Sequence, residues 1–459
     1  MLSKNQKYEI EIKDLNNLGF GVGRVDDTVV FVGGAVDGDR VLAHIIFVGK
    51  DYAVAKVDKL ITPSPYRVQS EFCESAACGG CAYRSISYEH ERTLKRNSVY
   101  HSFRKAGLPD AVICPLDGDE KITHYRNKAQ YPVSLDKDDK CIAGFYAPKS
   151  HRVIEAANCP LQPRIFSDIV KALTSFFDEY KIKPYDESTH NGLVRHIYLR
   201  ASTLGECMLS LVINGDDMKE KEALSALLQK KFPELTSFLL NINKEKTNVV
   251  CGDEYRLVYG KGYIEDIVCG VRLKIKPEAF YQINHDVAEK IYTKAKTLAG
   301  FTGDECLLDL YCGTGSIGLS MADSVRELVG VEVVPEAIEC AKENAAANGI
   351  ENAYFFCADA GEAQNIIEKA EKLYDREIKP DVTVLDPPRK GCSRELLDFL
   401  SDMPCNKIVY ISCNPDTLAR DAKILCDKGY TMGDVYIYDM FPRTGHVESV
   451  VCFTRGFGN

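Results

Sequence analysis

The sequence predicts an α/β protein in which a small N-terminal β-barrel and a central α+β domain precede a Rossmann-like C-terminal domain. Residues 1–62 consist of short β-rich runs separated by glycine turns, a spacing typical of small barrels. Residues 63–285 mix strand-like and helical runs, whereas apolar strands alternate with helical stretches over residues 286–459. Such alternation forms a parallel sheet with crossover helices, so we predict three domains with these boundaries.

The composition is that of a folded chain. Of the 459 residues, 45% are hydrophobic and 27% are charged, which allows a packed core and disfavours disorder. No run reaches the roughly 18 uncharged apolar residues of a membrane span, and the N-terminal residues lack the apolar stretch of a secretory signal. We therefore expect a monomeric, cytoplasmic protein with no membrane partner.

The charge pattern is ambiguous about nucleic-acid binding. The net charge is −10, whereas non-specific nucleic-acid binders are usually basic. Residues 84–105 nevertheless concentrate arginine and lysine in one helical stretch. This run is either a basic binding patch or an ordinary solvated helix face.

A glycine loop follows the first strand of the C-terminal domain. Residues 307–318 read LLDLYCGTGSIG, a strand that leads through glycines into a helix, and glycines let the backbone approach a ligand closely. Glu332 ends the next strand, where an acidic side chain can hold both ribose hydroxyls of a cofactor. The loop matches neither the dinucleotide motif nor a P-loop. It therefore favours S-adenosylmethionine (SAM) over NAD or ATP, with a plain strand–helix turn as the alternative.

Two further strands of this domain end in chemically distinctive residues. The run DVTVLDPPR places Asp386 at a strand end, where prolines force the backbone out of the sheet. The next strand, KIVYISC, ends at Cys413. Neighbouring parallel strands end at the same edge, so both side chains should lie on one rim above the ligand crevice. A free cysteine is usually a buried apolar residue, but this position favours a reactive one.

A thiolate on such a rim suits methylation of a pyrimidine carbon. Carbon 5 of uracil is a poor nucleophile until a thiolate adds to carbon 6 and forms an enolate, which can take a methyl group from SAM. A base must then remove the proton from carbon 5 so that the cysteine can leave. Glu448, in the predicted C-terminal hairpin, is the best candidate base and His446 is the alternative. A solvated hairpin carboxylate is the structural alternative for Glu448.

Four upstream cysteines form a candidate metal site. Cys73, Cys78 and Cys81 form a tight triple in a glycine loop, which is a poor core element. Cys159, next to a proline, is the candidate fourth ligand. Four thiolates can hold zinc or an iron–sulfur cluster, and the spacing alone does not distinguish the two.

Together these motifs resemble RNA uracil-5-methyltransferases, in the 23S ribosomal RNA branch that carries a TRAM domain and a 4Fe–4S cluster. The N-terminal barrel resembles TRAM, an OB-like RNA-binding module. The family segments matched, in order, are HYRNKAQYPV, PEAFYQINHDVAEKIY, SCNPDTLARD and DMFPRTGHVE. The resemblance therefore extends over nearly the whole chain. One departure is the first cysteine spacing, which is four residues here and five in some relatives.

The resemblance implies a role for each candidate residue. Cys413 would be the nucleophile and Glu448 the proton acceptor. The residues of the SAM site would be Gln282, Tyr311, Glu332 and Asp386, and the ligands of a 4Fe–4S cluster with a structural role would be Cys73, Cys78, Cys81 and Cys159. The substrate would be specific uridines of 23S ribosomal RNA, because the transfer-RNA branch usually lacks the TRAM domain. The reaction would pass through a covalent adduct between the cysteine and uracil carbon 6.

Two other interpretations remain: a methyl transfer to a different atom, and a protein without methyltransferase activity. Methylation of cytosine carbon 5 fits less well, because those enzymes typically carry a cysteine after the proline where this chain reads Asp-Pro-Pro-Arg. Methylation of an exocyclic amine typically uses an aromatic residue at the end of that motif and needs no cysteine. An RNA-binding or iron–sulfur sensor protein with an inactive methyltransferase domain is the other interpretation, against which the complete catalytic set argues.

Overall fold

A computed structural model describes most of the chain. The described residues are 2–68, 73, 75, 77–118, 121–362, 366–368, 371–372, 378–403 and 405–456. Their strands form sheets of six, seven, two and eight strands. Within these residues, no helix is both long enough and apolar enough to cross a membrane.

The N-terminal residues form a curled six-stranded sheet. Its strands are β1 (Lys7–Glu11), β2 (Asp14–Leu15), β3 (Phe20–Val25), β4 (Thr28–Gly33), β5 (Arg40–Val48) and β6 (Tyr52–Thr62), in the order β1-β5-β6-β4-β3-β2. A Cβ atom on Gly23 would overlap the side chain of Ile10, so β1 crosses closely over β3 and only glycine fits there. The sheet thus curls around an apolar interior as a half-barrel, which confirms the predicted small β module.

The next segment forms helix α1 (Tyr88–Lys105) and strand β7 (Ile113–Asp117). Both lie against the C-terminal sheet: β7 pairs in parallel with the last but one strand of the chain, and Val99 and Phe103 of α1 are fully buried in that domain's core. The sequence analysis assigned residues 63–285 to the central domain and did not predict that α1 and β7 pack on the C-terminal sheet. The domain boundaries themselves stay predictions.

The central region is a seven-stranded sheet covered by two helices. Its elements are β8 (Lys128–Leu135), β9 (Cys141–Tyr146), β10 (Val153–Glu155), α2 (Arg164–Glu179), β11 (Val194–Ala201), β12 (Cys207–Ile213), α3 (Lys221–Lys231), β13 (Leu235–Ile242) and β14 (Glu254–Gly260), and a separate hairpin, β15 (Ile264–Val268) and β16 (Val271–Ile275), follows. Helix α2 buries Phe166, Ile169, Val170, Leu173 and Phe177. This helical spacing places them on one face, which packs on the sheet.

The C-terminal region is an eight-stranded sheet. Its elements are α4 (His285–Ala299), β17 (Cys306–Leu310), α5 (Ser316–Leu319), β18 (Glu327–Glu332), α6 (Pro335–Ala347), β19 (Ala353–Cys357), β20 (Val382–Leu385), α7 (Arg394–Asp402), β21 (Lys407–Ser412), α8 (Pro415–Asp427), β22 (Thr431–Tyr438) and β23 (Glu448–Thr454). The strand order is β19-β18-β17-β20-β21-β23-β22-β7, with β17 to β21 parallel and β23 antiparallel to β21. The predicted alternation of strands and helices is therefore confirmed.

Most basic side chains of residues 84–105 make contacts within the protein. Arg92 and Arg96 both donate hydrogen bonds to backbone carbonyls of β7, and Lys95 is fully buried. The run is thus neither a free binding patch nor a simple solvated face, because its central cations hold α1 against the C-terminal sheet.

Candidate active site

The site lies where the strand order of the C-terminal sheet reverses. The chain passes from β17 outward to β18 and β19 on one side, and then returns to β20 and β21 on the other. Ligands of open α/β sheets bind at the carboxyl ends of the strands at such a switch point. The glycine loop after β17, Asp386 after β20 and Cys413 after β21 all lie at this edge.

The glycine loop has the backbone expected of a cofactor-binding turn. Gly313 and Gly315 have φ values of 54° and 82°, and Tyr311 has a φ of 65°, which is rare for a tyrosine. The backbone N–H of Gly318 donates to Asp309 Oδ2 at 2.9 Å. A Cβ atom on Gly313 would meet no atom within 4 Å, so the loop faces open space.

Asp309 is a buried carboxyl group that the sequence analysis did not single out. Its Oδ1 atom has no hydrogen-bond partner among the described residues, and burial raises its pKa to about 8. An orphaned buried oxygen beneath an open loop is the kind of group that a ligand or water satisfies.

The Glu332 carboxylate, at the end of β18, accepts hydrogen bonds from the glycine loop and from the residues that follow β18. Its Oε1 accepts from the backbone N–H groups of Val333 and Val334 at 2.8 and 3.0 Å, and its Oε2 accepts from Gly313 at 3.2 Å. Glu332 also lines a cleft of about 950 Å³ between this loop and the central sheet. A carboxylate has about four acceptor positions, so binding both ribose hydroxyls requires release of one of these bonds.

The other three predicted cofactor residues, Gln282, Tyr311 and Asp386, do not line that cleft. Gln282 is half-buried, and its backbone carbonyl accepts from Asn127 Nδ2 at 2.8 Å. Tyr311 is half-buried and packs against the core of the C-terminal domain, with its phenol beside Cys392. The cleft is lined instead by neighbours of Gln282 such as Phe280, whose side chain is exposed.

Cys413 and Glu448 lie at adjoining ends of two paired antiparallel strands. The pairing of β21 with β23 ends with Ser412 opposite Ser449, and Cys413 and Glu448 are the next residues along the two strands. The Glu448 carboxylate is near enough to raise the pKa of the Cys413 thiol. The fold thus brings together two residues that are far apart in the sequence.

Burial controls the acid–base behaviour of this group. It raises the pKa of Cys413 to about 11, with further increases from the Glu448 and Asp386 carboxylates and a decrease from Arg389. Burial also raises the pKa of Asp386 to about 7 and that of Glu448 well above its usual value, the latter with help from Asp386. Acids this close titrate as a coupled set and do not all ionise together.

Glu448 is buried and not solvated, which removes the structural alternative weighed above. Only 4% of its surface is exposed. His446, the other candidate base, is half-buried, and its Nε2 lies 3.5 Å from the Arg389 guanidinium. Burial, and then the positive charge of Arg389, lower its pKa, so the imidazole is neutral at pH 7.

A second cavity gives Cys413 access to the outside. It has a volume of about 660 Å³ and lies between the half-barrel, α1 and the C-terminal domain. The half-barrel contributes Lys13, Asp14, Leu15, Asn16, Asn17 and Asp37 to its lining, α1 contributes His90, Leu94, Asn97, Ser98, His101 and Ser102, and the C-terminal domain contributes Arg389, Cys413, Asn414 and His446. The cysteine therefore opens toward a space that three parts of the chain enclose.

The four predicted metal ligands line one cavity of about 290 Å³. Burial raises the pKa of Cys81 to about 12, with contributions from the Cys159, Cys78 and Cys73 thiols, and burial raises the pKa of Cys159 to about 11. The same cavity is lined by Arg84, Arg126 and Lys128. Among the described residues, no three Cys, His, Asp or Glu side chains are grouped closely enough to hold a single metal ion.

Comparison with known proteins identifies the family. The model of the tRNA (uracil-5-)-methyltransferase family matches residues 116–456, and the model of the TRAM domain matches residues 3–57. The chain belongs to the RNA uracil-5-methyltransferase family. It is accordingly a SAM-dependent RNA methyltransferase that acts on carbon 5 of uracil, with an N-terminal TRAM domain.

Individual relatives agree with the family. The chain is 38% identical over 454 residues to an uncharacterized RNA methyltransferase of Clostridium tetani, with 99% of this chain and 97% of the relative covered. It is 39% identical over 451 residues to a similar protein of Listeria monocytogenes, with 98% of each covered. The crystal structure of Pyrococcus abyssi tRNA (uracil-54, C5)-methyltransferase in complex with S-adenosyl-L-homocysteine superposes with a TM-score of 0.77 at 25% identity, covering 97% of this chain and 100% of that one.

Proposed function

We propose that this methyltransferase modifies specific uridines of 23S ribosomal RNA, with Cys413 as the covalent nucleophile and Glu448 as the proton acceptor. The observation that supports the mechanism is that Cys413 directly follows β21 and Glu448 begins β23, the strand paired with β21.

The reaction follows from these positions. The Cys413 thiolate adds to carbon 6 of uracil, and the electrons of the 5,6 double bond move onto carbon 5 and oxygen 4. A bound SAM would supply an electrophilic methyl group to carbon 5, and S-adenosylhomocysteine would leave as the methyl–sulfur bond breaks. Glu448 then removes the proton from carbon 5, the 5,6 double bond re-forms, and the thiolate leaves. The target base must leave any helical stack to reach the rim, so we expect base flipping.

The charges around the rim support the roles of Cys413 as nucleophile and Glu448 as base. Arg389 is the cation that lowers the pKa values of both Cys413 and Glu448, so it favours the thiolate that attacks and the carboxylate that accepts a proton. His446 is held near the same cation. An imidazole there gains a proton less readily, which makes it the weaker candidate base.

The residues around the glycine loop fit a bound SAM molecule. The open space over Gly313, the orphaned Asp309 oxygen and the Glu332 carboxylate provide room and polar partners for its nucleoside and amino-acid portions. Asp386 lies between this loop and Cys413 along the rim. In this proposal Gln282 and Tyr311 complete the site, and both must move or act through neighbouring residues.

The four-cysteine cavity fits a 4Fe–4S cluster better than zinc. Iron–sulfur clusters are commonly held by four cysteine thiolates, and a cluster keeps its ligands further apart than a single tetrahedral ion does. The thiols surround a cavity but are not grouped for one ion. The three cations on the same wall would offset the negative charge of four thiolates. We expect the protein purified without oxygen to show the visible absorption of thiolate-bound iron. The Cys81→Ser variant should lack that absorption.

Transfer RNA is the second candidate substrate, and a specific observation favours it. The superposition with the Pyrococcus abyssi tRNA methyltransferase covers 97% of this chain. The uncovered 3% is shorter than the half-barrel, so most of the half-barrel is matched in that enzyme. A TRAM-like barrel therefore does not by itself argue for ribosomal RNA. The proposal of 23S ribosomal RNA rests on the similarity of the cysteine set and the motifs to that branch.

Nucleoside mass spectrometry on a deletion strain tests the proposal. Loss of 5-methyluridine from a mapped position of 23S ribosomal RNA, with the transfer-RNA signal unchanged, supports it. Loss from transfer RNA alone contradicts the ribosomal substrate but leaves the mechanism intact. Complementation with Cys413→Ala should restore no methylation in either RNA, and restoration would contradict the covalent mechanism.

A further inference from the structure

The segment between β22 and β23 is held in place by distant parts of the chain. The carbonyl of Met440 accepts from Asn284 Nδ2 at 3.4 Å, and that of Pro442 accepts from the Tyr125 hydroxyl at 3.0 Å. The carbonyl of Arg443 accepts from the backbone N–H of Tyr83 at 3.0 Å. These donors come from the start of α4, the region before β8 and the region before α1. The segment leads directly into Glu448.

Lys95 is the centre of this arrangement. Its ammonium group, buried with no side-chain exposure, contacts Glu91 Oε1 at 2.8 Å and Asp439 Oδ1 at 2.6 Å. It also donates to the carbonyl of Phe441 at 3.1 Å. One side chain of α1 thus binds both a carboxylate and a backbone oxygen of the same short segment.

Three further contacts complete a balanced cluster of buried charges. The backbone N–H of Arg443 donates to Glu91 Oε1 at 2.7 Å, and its guanidinium lies 3.6 Å from Glu91 Oε2. The Tyr88 hydroxyl donates to Asp439 Oδ2 at 2.9 Å. Two cations therefore match two carboxylates. Such clusters contribute little net stability over apolar packing, but they impose one geometry.

That geometry includes a backbone conformation that is costly on its own. Arg443 has a φ of 71°, in the left-handed region that a bulky side chain rarely adopts and that persists only when its surroundings hold it. The bonds from Glu91 and Tyr83 act on this residue directly. Without these hydrogen bonds we expect Arg443 to adopt a lower-energy backbone conformation, which would shift the start of β23.

We propose that Lys95, together with Tyr125, is a positioning residue that holds residues 439–443 so that Glu448 can reach the proton on carbon 5 of the methylated base. The inference rests on the proposed role of Glu448. It assigns no contact between Lys95 and the substrate. Cys413 directly follows β21 and is outside the held segment, so attack by the thiolate should depend on Lys95 much less than proton removal does.

Two substrates separate these steps. RNA that carries 5-fluorouridine at the target forms the methylated adduct but has no carbon 5 proton to lose, so the rate of its appearance reports attack and methyl transfer. RNA that carries 5-tritiated uridine releases tritium only when the proton is removed. Binding of S-adenosylhomocysteine checks that each variant is folded.

The test variant is Lys95→Met/Asp439→Asn, which removes one charge of each sign and leaves Glu91 with Arg443. We expect adduct formation on 5-fluorouridine RNA within about threefold of the parent enzyme. Tritium release should fall by at least about tenfold, since small misplacements of a catalytic group have effects of this size. The matched control, Lys296→Met/Asp323→Asn, removes an exposed ion pair of α4 with a separation of 2.7 Å and should leave both rates unchanged.

The outcomes are distinguishable. Unchanged tritium release, or an equal fall in both rates in a variant that still binds S-adenosylhomocysteine, overturns the inference. If the double variant does not fold, Tyr125→Phe removes one hydrogen bond without a charge change, and normal tritium release in that variant overturns the inference instead. If Glu448→Gln itself releases tritium normally, the proposed base is wrong. If the Lys95 variant releases tritium normally and Glu448→Gln does not, the role of Glu448 as base is supported and the positioning role of Lys95 is wrong.

Discussion

Alkylation of Cys413 should remain strongly dependent on pH well beyond the range of an ordinary thiol. With a pKa of about 11, the thiolate fraction is about 10⁻⁴ at pH 7 and about 10⁻² at pH 9, because each pH unit below the pKa costs a factor of about ten. A simple thiol with a pKa of about 8.5 rises only from about 3% to about 75% over the same range. The enzyme should therefore show a roughly hundredfold increase with no plateau, compared with about twenty-five-fold for the simple thiol.

Iodoacetamide labelling of the ligand-free enzyme, followed by peptide mass spectrometry, measures this dependence, and an unstructured peptide with one cysteine and blocked termini provides the reference. Two variants test the physical cause with opposite signs. Asp386→Asn removes a carboxylate that raises the pKa, so labelling at pH 8 should become faster. Arg389→Met removes the cation that lowers it, so labelling should become slower. A plateau below pH 9, or the same direction of change in both variants, would refute the reasoning.

Three further predictions follow from the described contacts. Glu448→Gln keeps the shape of the side chain but cannot take a proton at neutral pH, so a covalent RNA adduct should accumulate on denaturing gels, and normal turnover would point to another base. Glu332→Ala should weaken binding of S-adenosylhomocysteine by roughly ten- to hundredfold in calorimetric titrations, the size expected for lost charged hydrogen bonds, whereas Glu339→Ala, which affects only a surface pair with Lys342, should not. Asp39→Ala should lower the free energy of unfolding by about 3 kcal/mol in urea titrations, because Asp39 is fully buried and accepts from Val36, Ser64 and Arg67. Burial raises the pKa of Asp39, but the Arg67 and backbone bonds outweigh it and leave the pKa below its usual value. Its stabilisation is therefore complete at neutral pH and is lost as the pH falls below about 4, and an acid-stable difference between the parent and Asp39→Ala would contradict this.

Much of the fold was predictable because local pattern and tertiary role agree in most elements. The run DVTVLDPPR forms β20, which ends before the prolines as predicted, and the predicted strand KIVYISC forms β21, which ends at Ser412, one residue earlier. The exceptions are segments whose partners are distant in the sequence. Strand β7 has no local feature that specifies its pairing with β22, because that choice depends on which sheet edge α1 leaves open.

The sequence by itself determined the family, and the order of its motifs predicts a thiol nucleophile, a carboxylate base and a four-cysteine site. These features are readable because glycines, prolines and strand ends leave strong local signals. Only the tertiary structure decided the state of the groups. It buries Glu448 near Cys413, raises the pKa values of both, and encloses Lys95 between two carboxylates. Burial and charge pairing arise from residues that meet only when the chain is folded, so no local pattern reports them.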